Sequence, residues 1–507
     1  MKTKKIAILS IFIALLSLTS CNFDFFFGSE TDSTPYPSEE EESTPQNANY
    51  YRADRSIDTY YTVGQHSAYG QTHPKTLGQA KTLVVPIAIK GYESTANETT
   101  RSKIQKAFFG TSNETGWESV STYFNKASFG QFELKGEVTP WYNSNLSPRE
   151  IAAKEDSKYG DGGTYYLLEK VYSWLSTQGY NLKDYDLDND GYIDSIWMIY
   201  GCPNGSNSVL VPTDTFWAFS FVAYNFMNDK DVNKPVPNTY AWASYDFMDE
   251  GKSVGIEIDA HTYIHETGHV LGLDDYYDYD SVHSPLGAID MQDNNVGDHN
   301  AYSKMALGWS RPYVVTGDCT ITIKPAESSG QCILLRDPSS PYNGNAFSEY
   351  LLLELLTPTG LWKQDATKAY PSIRSKTFTQ PGVRLMHVDS RLIDYNNNFV
   401  TKTSSRNLYS VAYSNTPSDS YSSGTSSLRD DLIALIPANN DTIFQSSANR
   451  DAVATNASLF STGDKFTIND YSSFFRNNQL HDGTTIPFEV TFDSVTSESA
   501  TITFKVI

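Results

Sequence analysis

Cysteine is scarce, with four in 507 residues. So few exclude a disulfide-stapled scaffold and leave no paired CxxC knuckles for structural zinc. Positive charge is thin as well. Thirty-eight Lys and Arg stand against 60 Asp and Glu, a net charge of −22. A field of that sign repels phosphate backbones and argues against nucleic acid as a partner. Beyond the first twenty residues no apolar run approaches the eighteen or so that a bilayer span needs. A G-x-S-x-G elbow and a phosphate-cradling G-x-x-x-x-G-K-[ST] loop are both missing. Aromatic side chain is what the chain has in quantity: 13% of residues, within a hydrophobic share of 39%. That excludes a mostly disordered protein, and the length predicts more than one domain.

Residues 1–20 read as a secretory leader. Lys2, Lys4 and Lys5 precede an apolar run from Ile6 to Leu18 that is too short for a permanent span. Leu18-Thr19-Ser20-Cys21 resembles the lipobox of bacterial lipoproteins, which implies cleavage before Cys21, lipidation of its thiol and a membrane-anchored, extracytoplasmic protein. Residues 21–49 are rich in Ser, Thr, Pro and Glu and cannot bury enough apolar area to order themselves. They read as a disordered tether with an end-to-end distance of roughly 30 Å.

The remainder divides near residue 310. Before it, strand-like and helix-like segments mix. Leu83–Ile89 and Ile193–Tyr200 are strand-like, Trp117–Phe124 and Tyr165–Leu175 helix-like, and Val254, Ile256 and Ile258 alternate as a half-buried strand should. After it come Thr320–Ile323, Cys332–Leu335, Tyr350–Leu355, Val383–Val388 and Ala500–Val506, all strand-like. The expectation is an α+β protein, with a domain at 50–310 followed by an all-β, sandwich-like region at 311–507. Cys319 and Cys332 flank a plausible hairpin and are candidates for a disulfide.

The chemistry concentrates at His265-Glu266-Thr267-Gly268-His269. On a helix, i and i+4 share a face, so two imidazoles can meet one metal, with Glu266 beside the open position. Gly272 is placed to end that helix in a left-handed turn, and three residues on stands Asp275, where a third ligand belongs. His261, one turn before His265, reads as a supporting residue rather than a ligand. A second motif is Asp186-Leu187-Asp188-Asn189-Asp190-Gly191-Tyr192-Ile193-Asp194. Carboxylates of Asp186, Asp188, Asp190 and Asp194, with the Tyr192 carbonyl, can converge on calcium around the turn at Gly191. Position 12 holds Trp197 instead of a bidentate Glu, so the loop is EF-like without being an EF-hand. His387 and Asp389 alternate on one strand face and read as a structural polar pair.

The stretch HETGHVLGLDDYYD from His265 resembles the M6 peptidases, the immune inhibitor A family. The resemblance continues in SVSTYFNKASFGQFELKGEVTPWY (119–142), GDHNAYSKMALGW (297–309), EYLLLELL (349–356) and GVRLMHVD (382–389), covering roughly residues 80–390. It implies a metzincin-like zinc endopeptidase of protein substrates, with zinc on His265, His269 and Asp275, Glu266 as general base and Met291 as the Met-turn. A donor for the tetrahedral oxyanion is also needed. Tyr276, Tyr277, Tyr279, His283, His299 and Tyr302 are the nearby choices. The alternative is a surface adhesin or binding lipoprotein that keeps a peptidase fold without turnover. The intact Glu266 favours the enzyme.

Overall fold

The centre of the first sheet is built from strand segments that are buried along their whole length. Leu83–Ile87, Ser195–Tyr200 and Thr239–Ser244 expose almost nothing, the sign of a parallel sheet covered on both faces. A computed structural model describes residues 48–54, 72–154, 162–226, 228–368, 370, 376–394, 396, 398–400, 409–416, 430–445 and 449–507. The leader, Cys21 and the tether to residue 47 lie outside the described residues.

Strand order in this sheet is Phe132–Val138, Gly78–Ala88, Ser195–Tyr200, Thr239–Ser244 and Phe219–Val222, with Tyr142–Asn143 also pairing with Gly78–Ala88. All pairs are parallel except the last, where Phe219–Val222 runs antiparallel to Thr239–Ser244 at the edge. Alternate residues feed two cores. Val84, Trp197, Ile199 and Ala241 pack under helices Glu98–Phe109, Val120–Ala127 and His261–Val270. Leu83, Val85, Met198 and Trp242 pack on helix Gly162–Thr177.

Val254, Ile256 and Ile258 do not form a strand. Residues Tyr245–Val254 wind as 3₁₀ turns that end at Gly255. Ile256 and Ile258 then bury alternate side chains in the first core, and the Ile258 N–H bonds the Thr115 carbonyl outside any ladder. Alternating burial is necessary for a half-buried strand but does not supply a partner strand.

The second sheet runs Tyr50–Arg52, Pro312–Val315, Cys332–Leu335, Glu349–Leu356, Gly382–Asp389 and Ile433–Leu435. One face (Tyr313, Ile333, Leu351, Leu353, Leu385) shares a core with a four-stranded sheet of Cys319–Ile323, Ala500–Val506, Phe488–Val495 and Lys465–Phe466. Its other face (Val314, Leu334, Leu352, Met386) covers Tyr276, Tyr302, Met305 and Ala306. This region is mainly β rather than all β, since Ala326–Ser329 and Lys363–Thr367 are helical. Helix and sheet content is mixed across the chain, as α+β. Cys319 and Cys332 are not bonded: they sit in different sheets as free thiols, and Cys332 packs 4.0 Å from the Met305 sulfur. No helix among the described residues is long and apolar enough to cross a membrane.

Candidate metal centre and cleft

The helix His261–Val270 ends as its sequence requires. Gly272 takes φ +99°, the Leu273 N–H bonds the Gly268 carbonyl at 3.0 Å, and the Gly272 N–H bonds the His269 carbonyl at 2.9 Å. This six-to-one and five-to-two pairing reverses the chain within two residues and returns Asp275 to the histidine face. Gly268 is needed for a different reason: a Cβ there would stand 2.2 Å from Gln292 Oε1, which His299 Nε2 holds at 3.1 Å.

The ring orientations are set by backbone carbonyls. His265 Nδ1 donates to the Met291 carbonyl and His269 Nδ1 to the Leu273 carbonyl, each at 2.8 Å. A carbonyl only accepts, so both hydrogens sit on Nδ1 and both Nε2 atoms present lone pairs. Those lone pairs lie 3.1 Å apart. Asp275 Oδ1 is 2.9 Å from one and 3.3 Å from the other, and it has no hydrogen-bond partner among the described residues. Three acceptor atoms converging without a donor call for a cation, and two imidazoles with a carboxylate suit a zinc-type ion. Burial works against charge on His269, but the negative charge of Asp275, with that of Glu266 behind, holds its proton affinity up at about 10. Burial raises Asp275 too, yet His269 and His265 outweigh it and keep its carboxyl well below the usual range. The same field that holds a proton would hold a dication.

Glu266 is buried on the same helix, and its Oε2 has no partner among the described residues. Burial raises its carboxyl, with the two histidines pulling partly the other way. All four residues line a cleft of about 1090 Å³. Phe219 and Ser220 of the edge strand, with Trp217 and Phe247, form part of its wall.

The other sequence candidates separate cleanly. Met291 is buried in the first core, and its carbonyl is what orients His265. Tyr276 bonds Ser303, His299 lies between Tyr123 and Gln292, and Tyr302 is buried beneath the second sheet. His283 bridges Asp278 (2.7 Å) and Asp431 (3.3 Å). Tyr277, Tyr279 and His283 line the cleft; both His283 nitrogens are engaged by the two aspartates, and the Tyr279 hydroxyl donates to Asp275 Oδ2. His261 is fully buried, held by Asp259 at 2.7 Å and stacked on Trp117 at 3.8 Å between ring centres.

In the acidic loop, oxygens of Asp186, Asp188 and Asp194 come within 4.8 Å of one another. Asp190 does not join that group; its Oδ1 accepts the Tyr192 N–H at 2.8 Å. Tyr192 opens the short strand Tyr192–Ile193, which pairs with Val236–Pro237. Asp194 is fastened through the Leu187 and Lys81 N–H groups.

Residues 80–290 match the model of the immune inhibitor A peptidase M6 catalytic domain. The chain carries an M6 peptidase domain. Pre-pro-metalloprotease PrtV of Vibrio cholerae serotype O1, in strains M66-2 and ATCC 39315 / El Tor Inaba N16961, is 23% identical over 178 residues. The match takes in 32% of this chain and 19% of PrtV, so it spans about a fifth of the relatives' length. The M6 match stops at residue 290, but the centre draws on more. Arg384, from the second sheet, bonds Glu354 and the Ile289 carbonyl at 2.8 Å each, bracing the turn that carries Met291. Asp365 lies 3.9 Å from His261 Nε2. Nothing in local spacing pointed to Arg384, Glu354 or Asp365.

Proposed function

We propose that the chain is a zinc-dependent endopeptidase acting on extracellular protein substrates. His265, His269 and Asp275 hold the zinc, and Glu266 is the general base. The observation that carries this reading is the convergence of two Nε2 lone pairs and Asp275 Oδ1 beside the unpartnered Glu266 Oε2. Zinc bound there supplies a Lewis acid and a water whose pKa falls to about 7. Glu266, with its proton affinity raised by burial, takes the proton from the attacking water and delivers it to the departing amide nitrogen. Tyr277, which lines the cleft, is the donor proposed for the tetrahedral oxygen, since the Tyr279 hydroxyl hydrogen is committed to Asp275. The edge strand Phe219–Val222 offers the substrate backbone a strand to pair with, which suits an extended segment of protein. In this scheme residues 50–310 carry the chemistry and 311–507 support it.

Two further assignments belong to the same reading. Asp186, Asp188 and Asp194 bind a structural calcium, with Asp190 and the Tyr192 carbonyl completing the loop. Lipidation of Cys21 anchors the protein outside the cell membrane. Cys21→Ala should move the protein from the membrane fraction to the soluble one, and unchanged partitioning would remove the anchor from the scheme.

Glu266→Gln tests the centre of the proposal. Zinc content should stay at one ion in the cleft while turnover of a casein substrate falls about 10²-fold to 10⁴-fold. Loss of that ion, or full activity, would show that Glu266 has another role.

A further inference from the structure

Away from the cleft, the second sheet gathers another set of donors. Glu349 and Asp389 face each other across antiparallel strands, and His387 lies two residues before Asp389 on the same face. His481 comes down on them from the segment between Leu480 and Thr484, whose backbone closes a turn. Glu349 and Asp389 are fully buried and His387 nearly so. None of the four lines the cleft.

We propose that Glu349, His387 and His481, with Asp389 as fourth donor, form a second zinc-type metal site that clips the His481 loop to the second sheet. His387 Nε2 lies 2.9 Å from Glu349 Oε1. His481 Nδ1 lies 2.8 Å from Asp389 Oδ2 and 3.8 Å from Glu349 Oε1. Donor atoms of Glu349, His387 and His481 all fall within 4.8 Å of one another. These separations bracket the edge of a tetrahedron built on bonds near 2.0–2.1 Å, about 3.4 Å. They also match the imidazole–carboxylate contacts of 2.9 and 3.3 Å in the cleft.

Charge points the same way. Asp482, Asp389 and Asp430 each have a guanidinium of their own: Arg336 at 2.5 Å, Arg391 at 2.7 Å and Arg476 at 2.5 Å. Glu349 has only the more distant Arg391, at 3.6 Å. Its carboxylate accepts the His481 and Asp482 backbone N–H groups and still contacts two imidazoles, and each imidazole nitrogen that faces a carboxylate oxygen must carry either a hydrogen or a cation. One dication serves both. His481 Nε2 faces Asp430 Oδ1 at 3.4 Å, on the side where metal-bound histidines commonly have an outer carboxylate. Two imidazoles in the set favour zinc over calcium or magnesium. The competing arrangement is a metal-free ion-pair network in which His481 carries a proton and Arg391 does the rest.

The test is elemental analysis of the full mature chain, equilibrated with zinc and then dialysed. Two zinc ions per chain are expected, falling to one in His481→Gln, one in His265→Gln and none in the double variant. A parent holding a single zinc that survives in His481→Gln and vanishes in His265→Gln would overturn the second site and leave the catalytic reading intact. A single zinc with the opposite dependence would do the reverse. Melting gives an independent readout in the His265→Gln background, where a zinc-selective chelator, with calcium held constant in excess, should still lower Tm by several degrees. No shift there would favour the metal-free network.

Discussion

Tyr279 binds the oxygen of Asp275 that the histidines do not use. That contact holds the carboxylate in one orientation, so that Oδ1 alone faces the two histidines. Outer contacts of this kind are worth 10-fold to 100-fold in metal affinity. Tyr279→Phe keeps the ring on Tyr277 and removes only the hydroxyl. It should weaken zinc binding by that factor in a competition titration with a chelator. Affinity equal to the parent would mean that Asp275 is positioned by the helix turn alone. The convergence of the histidines and Asp275 was the most legible feature in the sequence, because HETGH, Gly272 and Asp275 lie within eleven positions of one another. Choosing among six nearby tyrosines and histidines was not possible in the same way. That choice depends on partners such as Ser303, Gln292 and Asp431, which only the fold brings close.

The helix His261–Val270 begins on a buried charge. Burial disfavours the His261 imidazolium, but Asp259, through its charge and hydrogen bond, and Asp365 outweigh it and raise the pKa to about 9. The Tyr370 hydroxyl bonds Asp259 and Glu250 on the same side. A histidine whose folded pKa lies above its unfolded value stabilises fully below about 6.5, and the contribution fades as pH rises through 9. At 1.36 kcal/mol per unit this is roughly 3 kcal/mol. Urea unfolding at pH 6 and pH 9.5 should show the parent losing that margin over His261→Gln; parallel pH profiles would exclude it. The acidic loop has the opposite sign. Burial, reinforced by neighbouring aspartates, pushes Asp190 up to about 6 and Asp194 up to about 7. Their ionisation therefore costs stability as pH rises through that range, and calcium would cancel the cost. Added calcium should raise Tm more at pH 8 than at pH 5, and Asp194→Asn should shrink the difference. Equal shifts at both pH values, or none, would count against calcium in this loop. At this scale the strand runs were readable because buried parallel strands are continuous apolar segments. Val254 to Ile258 misled because an irregular segment can bury alternate residues without a ladder.

Across the whole molecule, the contacts hidden from sequence are those that join distant halves. Arg384 reaches the Ile289 carbonyl across 95 positions, and Asp365 stands beside His261. Local spacing carries no information about such pairs, which arise only when two sheets and their connecting helices close on each other. Tyr50–Arg52 makes the point most strongly. It is an edge strand of the second sheet, and its partner Pro312–Val315 lies in the other half of the chain. This has a consequence for the order of events as the chain is synthesised. A polypeptide made from its N-terminus presents Tyr50–Arg52 early, and that strand must wait for Pro312–Val315 before it can pair. The HETGH helix emerges long before Asp365, Tyr370 and Arg384, which steady its first turn and the Met291 turn. The cleft is thus completed only when most of the polypeptide has been made. Until then the pieces of the proposed blade have not yet met.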